Sequence, residues 1–189
     1  KLGETIWWYV CTGPKAPWPT LFIDHNAVNL RVWLWMTWKW NVQGILVWQS
    51  NYWTSPAAFP TTPQNPWEDP MGYTSGYGQE AGTIGYWGNG DGRFVYPANK
   101  KGAADKTAYV SGPVNSIRWE MLREGLEDFE YFAMLKQLSA ARGDAAAKAL
   151  LEVPEAIVKT QTDFTKDPRV MYQHRQKLAE TIERLQAGR

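Results

Sequence analysis

Apolar positions gather along this chain in two ways, and each predicts a different element. Residues 5–11 read Thr-Ile-Trp-Trp-Tyr-Val-Cys and residues 45–48 read Ile-Leu-Val-Trp. Unbroken runs of β-branched and aromatic residues predict a first strand closed by Thr12-Gly13-Pro14 and a second, opened by Gly44, that is buried on both faces. Between them Ala27, Leu30, Leu34 and Trp38 recur at helical spacing. With Trp33, Trp35 and Trp40 widening the apolar surface, they predict a helix from a cap at Asp24 or Asn26 to about Trp40. Strand, helix and strand in that order form a parallel crossover.

Residues 93–96 predict a third strand, entered by the tight turn Asn89-Gly90-Asp91-Gly92. A long helix is expected from Gly112-Pro113, with proline at its first position. Ile117, Met121, Gly125, Phe129 and Phe132 form its apolar face, and Arg118, Glu120, Arg123, Glu124, Glu127, Asp128 and Glu130 read as a solvated, ion-paired side. After Ser139 the composition turns to Ala, Lys, Glu and Leu. Asp144 is expected to cap a helix to about Val153, Pro154 to start another, and Asp167-Pro168 to open the last, ending near Leu185. Ile157, Met171, Leu178, Ile182 and Leu185 supply the packing stripe of this tail.

Residues 54–92 show no period and are punctuated by Pro56, Pro60, Pro63, Pro66 and Pro70, which reads as one long loop. It leaves the C-terminal end of a strand, where α/β-barrel sites are built. The fold class expected is α/β: the C-terminal portion of a (β/α)8 TIM-type barrel, about three βα units, with a partial catalytic domain at residues 1–138 and a helical extension at residues 139–189.

Charge and cysteine usage exclude several classes. Twenty basic residues against nineteen acidic give +1, and no basic cluster exceeds Lys100-Lys101, so no nucleic-acid partner is indicated. No apolar run approaches the length of a membrane span, so no membrane partner is indicated either. The single Cys11 excludes an internal disulfide and a cysteine zinc site, and reads as a buried small apolar residue. His25 and His174 stand in no metal-ligand spacing, and Gly88, Gly90 and Gly92 are followed by no Lys-Ser/Thr pair, so neither metal nor cofactor is assigned. Lys1 in place of methionine, with an apolar run beginning at Thr5, leads us to expect a piece or a processed form of a longer chain. The compartment stays open.

Aromatic content changes the picture. Twelve tryptophans, nine tyrosines and six phenylalanines, nearly all before residue 135, exceed what one small core needs and suit a carbohydrate-stacking surface. After the strand at 45–48 come Gln49, Ser50, Asn51, Tyr52 and Trp53. Sugar hydroxyls need amide-type donors and acceptors while the C–H face of the ring packs on an aromatic, so this alternation points to a carbohydrate partner. A core role for Trp48 and Trp53 stays open beside it. Glycoside hydrolysis needs two carboxyl groups, or one acid with a substrate acetamido group oriented by a second carboxylate. Glu68, Asp69, Glu80 and Asp91 are the loop candidates, each also fitting plain turn chemistry, and no catalytic residue is assigned.

The chain resembles a known family. Trp7-Trp8-Tyr9-Val10-Cys11-Thr12-Gly13-Pro14, Trp38-Lys39-Trp40, Gly44-Ile45-Leu46-Val47-Trp48, Asn51-Tyr52-Trp53, Pro66-Trp67-Glu68-Asp69-Pro70, Gly90-Asp91-Gly92 and Gly112-Pro113-Val114-Asn115-Ser116-Ile117-Arg118 look like the C-terminal part of the catalytic domain of glycoside hydrolase family 123. The resemblance covers roughly residues 4–135. It implies a (β/α)8 barrel acting on β-linked N-acetylgalactosamine, with the substrate acetamido group as nucleophile. The family's Asp-Glu catalytic pair sits on an earlier strand that this chain does not contain, and the family's Pro-Gly after the last strand's tyrosine is here Pro97-Ala98. What carries over is a sugar-binding set, Tyr9, Trp48, Asn51, Tyr52, Trp53 and Trp67, which Gln49, Glu68 and Asp69 adjoin. A sheet of three strands would leave edges unpaired, so the missing barrel half or a homo-oligomeric copy is expected to cover it.

Overall fold

A helix that is apolar on every side has to be covered on every side, and the segment from Val28 to Lys39 sets the architecture for that reason. In the computed structural model this helix, α1 (Val28–Lys39), is buried continuously from Val28 to Thr37. The structure describes residues 3–11, 13–53, 65–68, 70, 73–75, 85–87, 90–101, 107, 108, 110 and 111–188. Toward one side, Leu30, Trp33 and Leu34 of α1 pack with Val10, Phe94 and Leu122, with Trp8, Ile45 and Val47 against them. Toward the other, Val28, Val32, Trp35 and Met36 pack with Phe132 and Leu135 and with the tail residues Ala147, Val153, Ile157, Met171, Leu178, Ile182 and Leu185. The helical tail thus shares a core with α1.

Strands β1 (Trp7–Tyr9) and β2 (Gly44–Leu46) flank α1 in sequence and pair in parallel, Trp7 opposite Gly44 and Tyr9 opposite Leu46. Gly44 is required at its place, since a Cβ there would lie 2.5 Å from the Trp7 indole. Trp8 and Ile45 point to α1, while Trp7, Tyr9 and Leu46 point away and are exposed.

Several expectations need correction. Among the described residues the only parallel pairing is β1 with β2; the strand expected at 93–96 is β5 (Val95–Tyr96), antiparallel to β6 (Val114–Asn115). Left-handed glycines on both sides of Asp91, Gly90 at φ 79° and Gly92 at φ 77°, reverse the chain there. They bring Arg93 into an antiparallel bridge with Asn51. Residues 54–92 are not a single loop: within them β3 (Tyr73–Ser75) and β4 (Gly85–Trp87) pair antiparallel.

The long helix α2 (Ile117–Arg142) is capped by Ser116, whose side chain accepts from the Trp119 amide, and not by the expected proline start, because β6 occupies residues 114 and 115. Ile117, placed on its apolar face, is 64% exposed, and Arg118 and Asp128, placed on its solvated side, are buried. Gly125 lets α2 approach α1 closely, since a Cβ there would lie 3.0 Å from Leu34.

In the tail, Asp144 caps α3 (Ala145–Ala149) and Asp167 caps α4 (Pro168–Gln186), each side chain accepting a backbone N–H. Pro154 opens only a turn, in which the Ile157 and Val158 amides donate to the Pro154 carbonyl, and the chain then folds back through a bridge between Val158 and Phe164. No helix among the described residues is long and apolar enough to cross a membrane. Cys11, expected to be buried, is half-buried.

Candidate functional site

Beyond the end of β2 the chain meets the returning segment 90–96, and these two stretches build one wall. The Tyr52 amide donates to the Gly92 carbonyl at 2.8 Å, and the Phe94 and Val95 amides both donate to the Ser50 carbonyl. Arg93 Nε donates to the Tyr52 carbonyl at 2.9 Å. Arg118, entering from the first turn of α2, donates to the carbonyls of Leu21, Gly90 and Arg93 and covers the Phe94 ring at 4.8 Å. One buried guanidinium therefore fixes the turn on both sides of Asp91. Burial lowers the Arg118 pKa, partly offset by Tyr96 and Asp91.

Trp48 lies two residues past β2 and is half-buried. Its Nε1 donates to Asp91 Oδ2 at 3.0 Å, and Tyr52 meets its ring edge-on at 5.2 Å. Gln49 donates to the Asn51 side-chain oxygen at 3.1 Å. Trp53 Nε1 donates to the Val95 carbonyl at 2.8 Å, which ties the indole to β5. Trp67 is held in the same manner, its Nε1 donating to the Pro97 carbonyl at 2.9 Å and its ring lying 5.0 Å from Tyr96. These indoles keep their rings in place by spending the one polar atom on backbone, which frees the faces for packing.

The wall borders a cleft of about 660 Å³ lined by Ser50, Asn51, Trp53, Asn99, Asn115 and Trp119 among others. Amide and hydroxyl groups alternate there with two indoles. Asn99 Oδ1 is buried without a hydrogen-bond partner, so an acceptor at this cleft is unsatisfied. Among the described residues, the lining includes no carboxylate.

Of the site residues expected from sequence, Asn51 and Trp53 line this cleft. Trp48, Gln49 and Tyr52 adjoin them through the contacts above, and Trp67 stands behind Pro97. Tyr9 lies apart, at the end of β1, beside a hollow of about 170 Å³ that Trp18 and Trp33 also line. Glu68 is exposed, and Asp69 and Glu80 lie outside the described residues. Asp91 is 1% exposed, behind the wall and not on it, and burial pushes its carboxyl up to about 6 against the opposing pull of Trp48, the Gly92 amide and Arg118. Among the described residues no group of three or more His, Cys, Asp or Glu side chains is placed to hold a metal ion.

Residues 1–135 match the family model for the catalytic domain of glycoside hydrolase 123. The chain belongs to glycoside hydrolase family 123. That places it among glycoside hydrolases, and the matched region runs from β1 through most of α2. No curated protein sequence matches it. Two residues that this family 123 wall depends on, Arg93 and Arg118, were not singled out from sequence. Arg118 has a legible signal: with Leu122, Gly125, Phe132 and Leu135 it shares the three- and four-residue spacing of the buried face of α2. Arg93 has no such signal, since a lone arginine after a turn reads as solvent-facing.

Proposed function

We propose that this chain supplies the sugar-binding wall of a β-linked, N-acetylhexosaminidase-like glycoside hydrolase, as a portion of a (β/α)8 barrel. The observation that carries the reading is the cleft beside β5, where the Trp53 and Trp119 rings alternate with Asn51, Asn99 and Asn115. A pyranose stacks its C–H face on such an indole and exchanges hydrogen bonds with side-chain amides, and the partnerless Asn99 oxygen accepts from a hydroxyl or an acetamido N–H. The β1–α1–β2 crossover supports the barrel reading. Titration with a disaccharide of β-linked N-acetylgalactosamine tests the site: Trp53→Ala is expected to weaken binding by about 1–3 kcal/mol with the fold retained. Equal affinities for wild type and variant would overturn it.

A second reading is a carbohydrate-binding half-barrel without turnover, which the amide and indole groups lining the cleft would serve equally well. Hydrolysis of an aryl β-glycoside separates the two, because only the enzyme releases the aryl alcohol. In either reading the outward face of β1 and β2, where Trp7 is 62% and Tyr9 58% exposed, is covered by the remaining barrel strands or by a second copy of the chain.

A further inference from the structure

Asp91 touches one side chain of the wall, and three independent features define that contact. Trp48 Nε1 donates to Asp91 Oδ2 at 3.0 Å. The six-membered ring of Trp48 lies so close to Gly92 that a Cβ there would come within 2.8 Å of Cζ2, so the approach exists because residue 92 carries no side chain. Tyr52 closes the far edge of the ring, and its amide is anchored to the Gly92 carbonyl. The turn that carries Asp91 is itself pinned by Arg118 at Gly90 and Arg93. The other Asp91 oxygen, Oδ1, is buried with no partner, so among the described residues the one side-chain hydrogen bond to this carboxyl is that of the indole.

We propose that Asp91 is a positioning residue: by fixing the Trp48 indole against Gly92 and Tyr52 it sets the segment after β2, whose Asn51 and Trp53 line the cleft, for a sugar ring bound there. The role rests on the glycan reading of the wall. An ionised carboxylate accepts from the indole more strongly than a neutral acid does. On protonation the hydrogen goes to Oδ1, the oxygen with no donor, and Oδ2 keeps a weakened bond. The charged and titratable groups around Asp91 are Arg118 from α2, Arg93 from the turn, Tyr96 from β5 beside Arg118, and Tyr52 from the segment after β2. The carboxyl titrates near 6 because desolvation outweighs the stabilising pull of Trp48, the Gly92 amide and Arg118. The indole is therefore held most firmly above that pH and less firmly below it.

Indole N–H resonances of the full chain, labelled with 15N-tryptophan, test this, with Trp48→Phe assigning the Trp48 signal. In the wild type that signal is expected to shift with pH about a midpoint near 6, and in Asp91→Asn to be independent of pH. Asp91→Ala is expected to weaken binding of the β-linked N-acetylgalactosamine disaccharide about tenfold, the scale of one charge-assisted hydrogen bond. Asp91→Asn, whose side-chain carbonyl still accepts from the indole, is expected to recover most of that loss and to abolish the pH dependence of affinity. A Trp48 signal that Asp91→Ala leaves in place overturns the proposal, as does a wild-type midpoint that survives in folded Asp91→Asn. Binding abolished by Trp53→Ala but indifferent to Asp91→Ala overturns the positioning role and keeps the glycan reading. A wild-type chain that binds no sugar at any pH, with the Trp48 signal still following Asp91, overturns the glycan reading and leaves the clamp standing.

Discussion

Two buried aspartates in this chain each accept a hydrogen bond from a tryptophan indole, one between the helices and one at the strand ends, and their surroundings differ. Asp128 on α2 takes Nε and Nη2 of Arg31 at 2.6 and 2.9 Å and Trp35 Nε1 at 2.7 Å, with Arg175 of α4 at 3.4 Å. Both of its oxygens are satisfied by formal charge. The Arg31 pKa is raised: desolvation pulls it down, but the bond to and charge of Asp128 more than offset this. Among the described residues Asp91 has one side-chain hydrogen-bond donor, Trp48, with one oxygen unpartnered and a raised pKa. A saturated buried carboxylate joins α1, α2 and α4 into one body. An unsaturated one stores an electrostatic cost at the strand-end wall, the kind of perturbed group that marks a candidate site.

The largest effect should come from breaking the saturated member. Asp128→Ala leaves the Trp35 indole without its acceptor and the buried Arg31 with only the 3.8 Å pair to Glu124 and its contact with Tyr172, and is expected to destabilise the chain by about 3–5 kcal/mol in denaturant unfolding. A loss no larger than that of an ordinary surface variant would erase the contrast.

The unsaturated member should show its cost as a pH slope. The Asp91 carboxyl titrates at about 6 in the fold against 3.8 as the ordinary value, so the fold prefers the neutral acid. The stability this preference contributes is fully present below pH 3.8 and is lost as pH rises through 6. Wild type minus Asp91→Asn is thus expected to fall by about 2–3 kcal/mol between pH 3.5 and 7. Comparing the two chains removes the opposite slope from Glu127, whose carboxylate the Arg175 guanidinium holds below its ordinary range. Parallel curves for the two would show that Asp91 does not titrate in this interval.

Gly92→Ala sharpens the comparison on the backbone side. At φ 77°, with Trp48 in the path of the new methyl, it should cost about 1–2 kcal/mol for the left-handed conformation and move the Trp48 indole resonance, while Gly143→Ala, at φ 65° with open space around it, should leave that resonance alone. The smallest effect belongs to Arg123. It pairs with Glu120 and Glu127 on the exposed face of α2, and Arg123→Ala is expected to leave the melting temperature unchanged, since solvated pairs contribute little.

The same contrast explains what sequence could and could not disclose. β1, α1 and β2 follow from apolar periodicity and α4 also from its Asp167 cap, which are local, whereas the cap expected for α1 at Asp24 or Asn26 is replaced by Ala27, which makes no side-chain cap bond. Asn51 and Trp53 follow from the polar and aromatic alternation after β2. Arg118 and Asp128 read as surface charges by residue type, yet both fall on the buried face of α2, where their partners, the carbonyls of residues 21, 90 and 93 and the side chains of Arg31 and Trp35, are distant in sequence. The antiparallel return at 92–94 escaped because its cause is the handedness of two glycines, Gly90 and Gly92, which spacing does not encode.

Helix α2 carries both arginine-anchored and aspartate-anchored centres on a single rod. Arg118 and Asp128 are separated by ten residues, about 15 Å of rise, and both are sealed on the same buried side. Because an uninterrupted helix transmits displacement along its axis, the distance between the strand-end wall and the interhelical ion cluster is set by one ruler. A tail that leans through Arg175 on Glu124 and Glu127, about two turns along α2 from Arg118, is in series with the turn that carries Asp91.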